Sequence, residues 1–307
     1  MTPAERLRAL LERPGILVMP GCHDAMSARL IQEAGFELGF MSGFAVSADR
    51  LGMPDTGLIS YGEMVDQGRN VCGAVSIPMI GDGDTGFGSA QNIKRTVQGY
   101  AHAGFASIML EDQVAPKRCG HTEGKAVVGR DEALTRIRAA VDARDEGAEI
   151  LIMARTDARA CVSLEEAIAR CQMFREIGAD ITFLEAPLDE GEMRRYCEEV
   201  DGPKMANLIE GGKTPNLPPR QLEAIGYKIA VYPLTLLNVS IQAMRSALSS
   251  LAQSERPAAV MDFEDLKKAV GFPAHYAEEA RYGGLAVGST ARPLDSREPT
   301  SARPRNS

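Results

Sequence analysis

The segment ILIMARTD (150–157) holds five apolar residues in succession and then turns abruptly to Arg155, Thr156 and Asp157. A run this short and apolar reads as a strand buried on both faces, as in a parallel sheet. An ionisable pair closing such a strand carries a desolvation cost that a purely structural strand would avoid. The same design recurs on either side. SIMLED (107–112) ends in Glu111 and Asp112, PMIGDGD (78–84) in Asp82 and Asp84, and LGFMSG (38–43) contains Ser42. Downstream, ITFLEA (181–186) carries Glu185 and KMANLIE (204–210) carries Asn207 and Glu210. ILVMPG (16–21) and KIAVYPL (228–234) complete a set of apolar runs.

Between these runs lie helix-period segments such as AMSARLIQEAG (25–35), AQNIKRTVQGYAHAG (90–104), RDEALTRIRAAVDARDEG (130–147) and LEEAIARCQMFREIG (164–178). Several end in Ala-Gly or Ile-Gly, as helix C-caps do. Alternation of strand and helix predicts βα units, and repetition to eight predicts a closed (β/α)8 TIM-type barrel; a doubly wound sheet would use fewer strands and a switch point. In barrels the C-terminal strand ends build the active site. Any one of the polar residues there also suits a helix cap, but the ring of them points to a functional rim.

LTLLNVSIQAMRSALSSLAQ (234–253) reads as a long helix, and MDFEDLKKAVGF (261–272) and AHYAEEARYGG (274–284) as two shorter ones. The expectation is one domain over residues 1–284, a barrel with C-terminal helices, and a disordered tail over 285–307 rich in Pro, Ser, Thr and Arg. The net charge of −8, without a basic cluster, argues against nucleic acid as a partner. No apolar run is long enough for a transmembrane helix, and MTPAERLRALLERPG (1–15) lacks the apolar stretch of a signal peptide. Six scattered cysteines without a CxxC pair read as thiols, which fits a reducing cytoplasm.

GDGDTGFG (81–88) contains the spacing G-x-G-x-x-G. Asp82 and Asp84 inside the loop would repel a pyrophosphate, so a dinucleotide site is excluded and a nicotinamide oxidoreductase with it. Hard carboxylate oxygens at a strand end suit Mg²⁺, which takes one or two direct carboxylates and keeps its waters. Glu111 and Asp112 add a second acidic pair; isolated surface loops are the plainer alternative. PKRCGHTEGK (116–125) places Cys119 among Lys117, Arg118 and His121. Nearby cations favour a thiolate, and Gly120 and Gly124 suit a loop that closes over substrate. An exposed basic loop with an incidental thiol is the bland reading. Arg155 suits bidentate binding of a substrate carboxylate, or a salt bridge to Asp157 or Glu185.

Together SGF (42–44), GDGDTGFG, LEDQ (110–113), KRCGH (117–121), MARTD (153–157) and AN (206–207) resemble the isocitrate lyase/PEP mutase superfamily over roughly residues 5–282. The resemblance implies a (β/α)8 barrel in a homotetramer, a dimer of dimers that exchanges its last barrel helix between subunits. It implies Mg²⁺, with Mn²⁺ able to substitute, bound directly by Asp82 and through water by Asp84 and Glu111. Asp55 resembles a further acid of the site. Cys119 resembles the catalytic acid. Ser42, Gly43, Phe44, Gly120, His121, Arg155, Glu185 and Asn207 resemble the substrate shell, with Arg155 and Glu111 also in the catalytic group.

The implied reaction splits the C2–C3 bond of a 2-hydroxy dicarboxylate, a small di- or tricarboxylate substrate with no membrane or nucleic-acid partner. Within the family, NLIEGGKTP (207–215) and EAIGYKIAVYPLTLLNVSIQAM (223–244) look closest to the 2,3-dimethylmalate lyase and petal death protein branch, whose substrates are 2-alkylmalates. Methylisocitrate lyases share KRCGH and MARTD, but this chain has Asn238 where they have Arg, and Met109 where they tend to have His. Oxaloacetate hydrolysis on the same scaffold is a further alternative. A non-catalytic binding barrel would not need Asp82, Asp84, Glu111, Cys119 and Arg155 together.

Overall fold

The computed structural model describes residues 1–120 and 124–283. His121 and the tail expected over 285–307 lie outside the described residues. All eight apolar runs form strands: β1 Leu17–Cys22, β2 Gly39–Met41, β3 Met79–Asp82, β4 Ser107–Glu111, β5 Leu151–Thr156, β6 Ile181–Leu184, β7 Met205–Asn207 and β8 Ile229–Tyr232. They pair in parallel in the order β6-β5-β4-β3-β2-β1-β8-β7. The seam between β6 and β7 is joined by one parallel bridge, Thr182 to Lys204, with Thr182 N–H donating to Pro203 O at 3.1 Å. The result is a (β/α)8 barrel with helices between its strands.

Side chains alternate along each strand, so every second residue faces the barrel axis. Leu17 and Met19, Phe40, Ile80, Met109, Leu151 and Met153, Ile181 and Phe183, Met205, and Ile229 and Val231 form one buried cluster drawn from all eight strands. Leu7 and Leu10 of the first helix, Pro3–Glu12, join that cluster. Arg6 bonds to Ser76 O ahead of β3, and Lys228, ahead of β8, reaches Arg13 O and Gly15 O. The helix therefore closes the end where the strands begin. Outward-facing residues such as Ile108, Leu110, Ile152 and Ala154 pack under the surrounding helices.

Contacts divide the chain into two compact units, Met1–Arg256 and a second beginning at Pro257. The first carries the barrel and the long helix Thr235–Ala252; the second carries the helices Phe263–Val270 and Phe272–Tyr282. All six cysteines are thiols rather than disulfides. Among the described residues, no helix is long and apolar enough to cross a membrane.

Candidate active site

The alternation that fills the barrel also aims its rim. Two residues beyond the inward Phe40, Ile80, Met109, Met153, Phe183 and Met205 stand Ser42, Asp82, Glu111, Arg155, Glu185 and Asn207. A pocket at this end is lined by Ser42, Asp55, Asp82, Arg155, Glu185 and Asn207 among others. Burial is deep: Ser42, Asp55, Asp82, Asp84, Glu111, Arg155 and Glu185 are each at most 7% exposed.

The β3 side of the rim is an acidic pit. Asp82 accepts the N–H of Gly43 at 3.2 Å and, with its other oxygen, that of Asp84 at 3.1 Å. A Cβ on Gly43 would stand 2.7 Å from the Asp82 carboxylate, so this close approach requires glycine. Asp84 adopts a left-handed backbone, φ 48°, which Asp tolerates better than most residues. Its carbonyl accepts from Glu111 N–H at 2.9 Å, tying the loop to β4. The helix Ala90–Ala103 supports the loop from behind, where Tyr100 donates to Asp82 O at 2.6 Å and Thr96 to Gly86 O at 3.1 Å.

Into the pit runs Lys117, its Nζ 2.5 Å from Asp55 and 2.7 Å from Asp84. Burial alone would lower this ammonium, but Asp84, Asp82, Asp55 and Glu111 outweigh it and hold the pKa well above its usual value. One cation does not satisfy the acids. Burial, together with repulsion from Asp82 and Asp55, pushes Asp84 up to about 7 against the pull of Lys117. Burial likewise raises Glu111 well above the carboxylate range.

The β5 side is organised by a guanidinium. The β4–β5 register sets Glu111 beside Arg155, and their ion pair spans 3.1 Å. Arg155 also meets Asp157 at 2.9 Å and Glu185 at 3.5 Å, and lies 5.4 Å over the Phe183 ring. Burial would raise Asp157, but Arg155 and Lys125 dominate and hold it at about 2. Asn207 donates to both Glu185 oxygens at 3.3 Å. Above this group lies the loop that follows β4. Cys119 and Gly120 line the pocket, and a Cβ on Gly120 would come within 2.5 Å of Arg155 and 2.6 Å of Glu185. Phe40, Met109, Phe183, Met205, Ile209, Val231 and Leu234 supply an apolar wall.

Sequence reasoning and geometry part company at two residues. Asp112, grouped above with the converging acids, faces outward one residue past Glu111. It accepts from Thr156 Oγ1 at 2.6 Å, Asp157 N–H at 2.9 Å and Arg170 Nη1 at 2.8 Å, so it braces the barrel wall. Lys117, read as a cation beside Cys119, turns into the acidic pit instead. The two readings of Arg155 merge, because the guanidinium keeps its salt bridges and lines the pocket as well. Ser42 likewise caps the helix Gly43–Leu51, accepting from Ala45 N–H at 3.4 Å, while facing the pocket. Gln113 and Lys125 escaped notice. Their sequence signal is a Gln directly after the acidic end of a strand and a Lys closing a glycine-bearing loop.

Around the pocket, six carboxyl groups (Asp55, Asp82, Asp84, Glu111, Asp157 and Glu185) face four described cations, Lys117, Arg118, Lys125 and Arg155. Fully ionised, the carboxylates would exceed those cations by two charges, that of one divalent ion. Without such an ion, burial and mutual repulsion favour the protonated forms of Asp84 and Glu111. Glu111 Oε1 is buried without a hydrogen-bond partner, as an oxygen reserved for water or an ion would be. Among the described residues no three His, Cys, Asp or Glu side chains group closely enough to clasp a metal between them. An ion here would be held by few protein oxygens and completed by water, which suits Mg²⁺.

An acid-rimmed (β/α)8 barrel with a buried guanidinium and a thiol-bearing loop over its mouth defines a class of enzymes acting on small carboxylates. The family model described as phosphoenolpyruvate phosphomutase matches residues 7–252, and the chain belongs to this family, within the PEP mutase/isocitrate lyase superfamily. The 2,3-dimethylmalate lyase of Eubacterium barkeri is 44% identical over 262 residues, 85% of this chain and 90% of that protein. The chloroplastic carboxyvinyl-carboxyphosphonate phosphorylmutase of Arabidopsis thaliana is 41% identical over 295 residues, 93% of this chain and 87% of that one. Among solved structures, oxaloacetate acetylhydrolase with 3,3-difluorooxalacetate superposes with a TM-score of 0.89 at 33% identity, covering 93% of this chain and 98% of its own. With relatives of this kind, the chain is a carbon–carbon lyase.

Proposed function

We propose that this enzyme is a Mg²⁺-dependent lyase that splits the C2–C3 bond of a 2-alkylmalate such as 2,3-dimethylmalate into pyruvate and a monocarboxylate. The observation that carries the reading is the pocket's division into an acidic pit, a guanidinium and an apolar wall, with Cys119 among the residues that line it. Arg155 and the backbone at Gly120 bind one carboxylate, and Ser42, Gly43 and Phe44 position the other with the C2 hydroxyl. Asp82, Asp84 and Glu111 would hold Mg²⁺, and the bound ion would stabilise negative charge on the C2 oxygen.

As the hydroxyl gives its proton to a carboxylate of the acidic pit, C2 becomes a carbonyl and the C2–C3 electron pair moves to C3, where it delocalises into the adjacent carboxylate. The Cys119 thiol gives its proton to C3 and is left as thiolate. The apolar wall favours alkyl substituents over a third carboxylate. Met109 belongs to that wall, and Asn238 lies on the helix beyond it.

Proton NMR with Mg²⁺ and a panel of 2,3-dimethylmalate, 2-methylmalate, 2-methylisocitrate and oxaloacetate tests the reading. Cleavage of an alkylmalate should disappear with EDTA and fall at least about a thousandfold in Cys119→Ser, roughly 4 kcal/mol of barrier. Better turnover of 2-methylisocitrate would overturn the substrate assignment. The high TM-score to oxaloacetate acetylhydrolase favours one second reading. If oxaloacetate alone reacts, to oxalate and acetate, the enzyme is a hydrolase. The helix Thr235–Ala252 buries only Leu237 and exposes Val239, Met244, Leu248 and Leu251. That bare apolar face supports exchange of this helix in a homotetramer, for which light scattering should return about four times the chain mass.

A further inference from the structure

Cys119 sits between two clamps on the backbone of its own loop. On one side, the side-chain amide of Gln113 grips residue 118 by both of its main-chain groups. Its Nε2 donates to Arg118 O at 2.8 Å, and its Oε1 accepts Arg118 N–H at 2.9 Å. On the other side, the Lys125 ammonium donates to Gly120 O and to Asp157 Oδ1, the latter at 2.8 Å. Gln113 is 1% exposed, the Lys125 side chain 3% and that of Asp157 0%. A buried ammonium needs partners for its charge and its donors. Here one partner is a main-chain carbonyl of the loop, so satisfying Lys125 fixes the loop. The stems add less local control: Val114 N–H reaches Ala126 O at 2.8 Å, and Val128 N–H reaches Asp112 O at 2.9 Å.

Asp157 completes the link, because the carboxylate that takes Lys125 also takes Arg155. The position of the thiol and the orientation of the guanidinium are thus referred to one rigid group, itself anchored through its N–H to Asp112. We infer that Gln113 and Lys125 are positioning residues that hold the Cys119 thiol in register with Arg155, so that proton donor and carboxylate binder face one substrate together. The inference rests on the lyase reading for its kinetic consequence, and on geometry alone for the clamp.

The test uses the full-length, Mg²⁺-loaded enzyme and its Lys125→Met, Lys125→Arg and Gln113→Leu variants. With 2,3-dimethylmalate, Lys125→Met should lower kcat by roughly ten- to a hundredfold with KM within about threefold, as misplacement of a reacting group does. Lys125→Arg, which keeps charge and donors, should recover most of the loss. Iodoacetamide labelling of Cys119, followed by peptide mass spectrometry, should accelerate by about fivefold or more in Lys125→Met and Gln113→Leu as the loop opens locally. Unchanged labelling and unchanged kcat in folded variants would overturn the inference. So would a raised KM with kcat intact, which would make Lys125 a substrate binder. If Lys125→Met does not fold, Gln113→Leu carries the same expectation, and wild-type labelling there sinks it. If the wild type cleaves no 2-hydroxy diacid, the lyase reading falls while the labelling arm still decides the clamp.

Discussion

At the end where its strands begin, the barrel is filled by Leu7, Leu10, Leu17, Leu38, Leu151 and Ile181, each at most 8% exposed. At the other end, inward positions no better exposed hold Asp82, Glu111, Arg155 and Glu185. The strands and their alternation are shared, so the contrast is one of side-chain chemistry rather than architecture. The apolar end contributes stability through burial, about 25 cal/mol per Å² removed from water. The ionic end gains little net stability from its buried pairs, because desolvation offsets their attraction. The fold stores its stability at one end and its reactivity at the other.

Breaking an ion pair at the rim should be the heavier blow. Lys117→Met leaves Asp55 and Asp84 facing each other and should cost about 3–5 kcal/mol in denaturant unfolding, with turnover lost as well. Stability equal to wild type would mean that the pit does not depend on its ammonium. At the closed end, Leu7→Ala should cost about 3 kcal/mol by leaving a cavity, yet leave kcat unchanged, since it lies at the end of the barrel opposite the rim. A large fall in kcat from that change would show that the two ends are coupled.

The smallest effect lies in acid. Asp157, held at about 2, contributes stability that is fully present above its unfolded value near 3.9. That contribution disappears as the pH falls from about 4 to about 2. The slope of unfolding free energy against pH in that window should therefore be shallower in Asp157→Asn, by up to about one proton. Equal slopes would assign the acid sensitivity to other carboxyls.

All eight strands and the inward ring of Ser42, Asp82, Glu111, Arg155, Glu185 and Asn207 were legible in the chain, since apolar runs and their polar ends are local patterns. Asp112 was misjudged because adjacency to Glu111 suggests a shared site, whereas strand alternation sends neighbours to opposite faces. Lys117 was misjudged because the residues around it in sequence differ from those around it in space. Asp55, 62 positions away, is a partner that no local spacing announces.

The barrel, the rim and the candidate thiol were therefore determined by the sequence itself, through short apolar runs spaced by helix-period segments and the cost of burying ionisable groups at strand ends. Tertiary structure decided which cation meets which acid: Lys117 with Asp55 and Asp84, Arg155 with Glu111 and Asp157, and Lys125 with Asp157 and the Gly120 carbonyl. A loop has no periodicity to aim its side chains. Their directions follow from where the chain returns and from which buried charges remain to be satisfied.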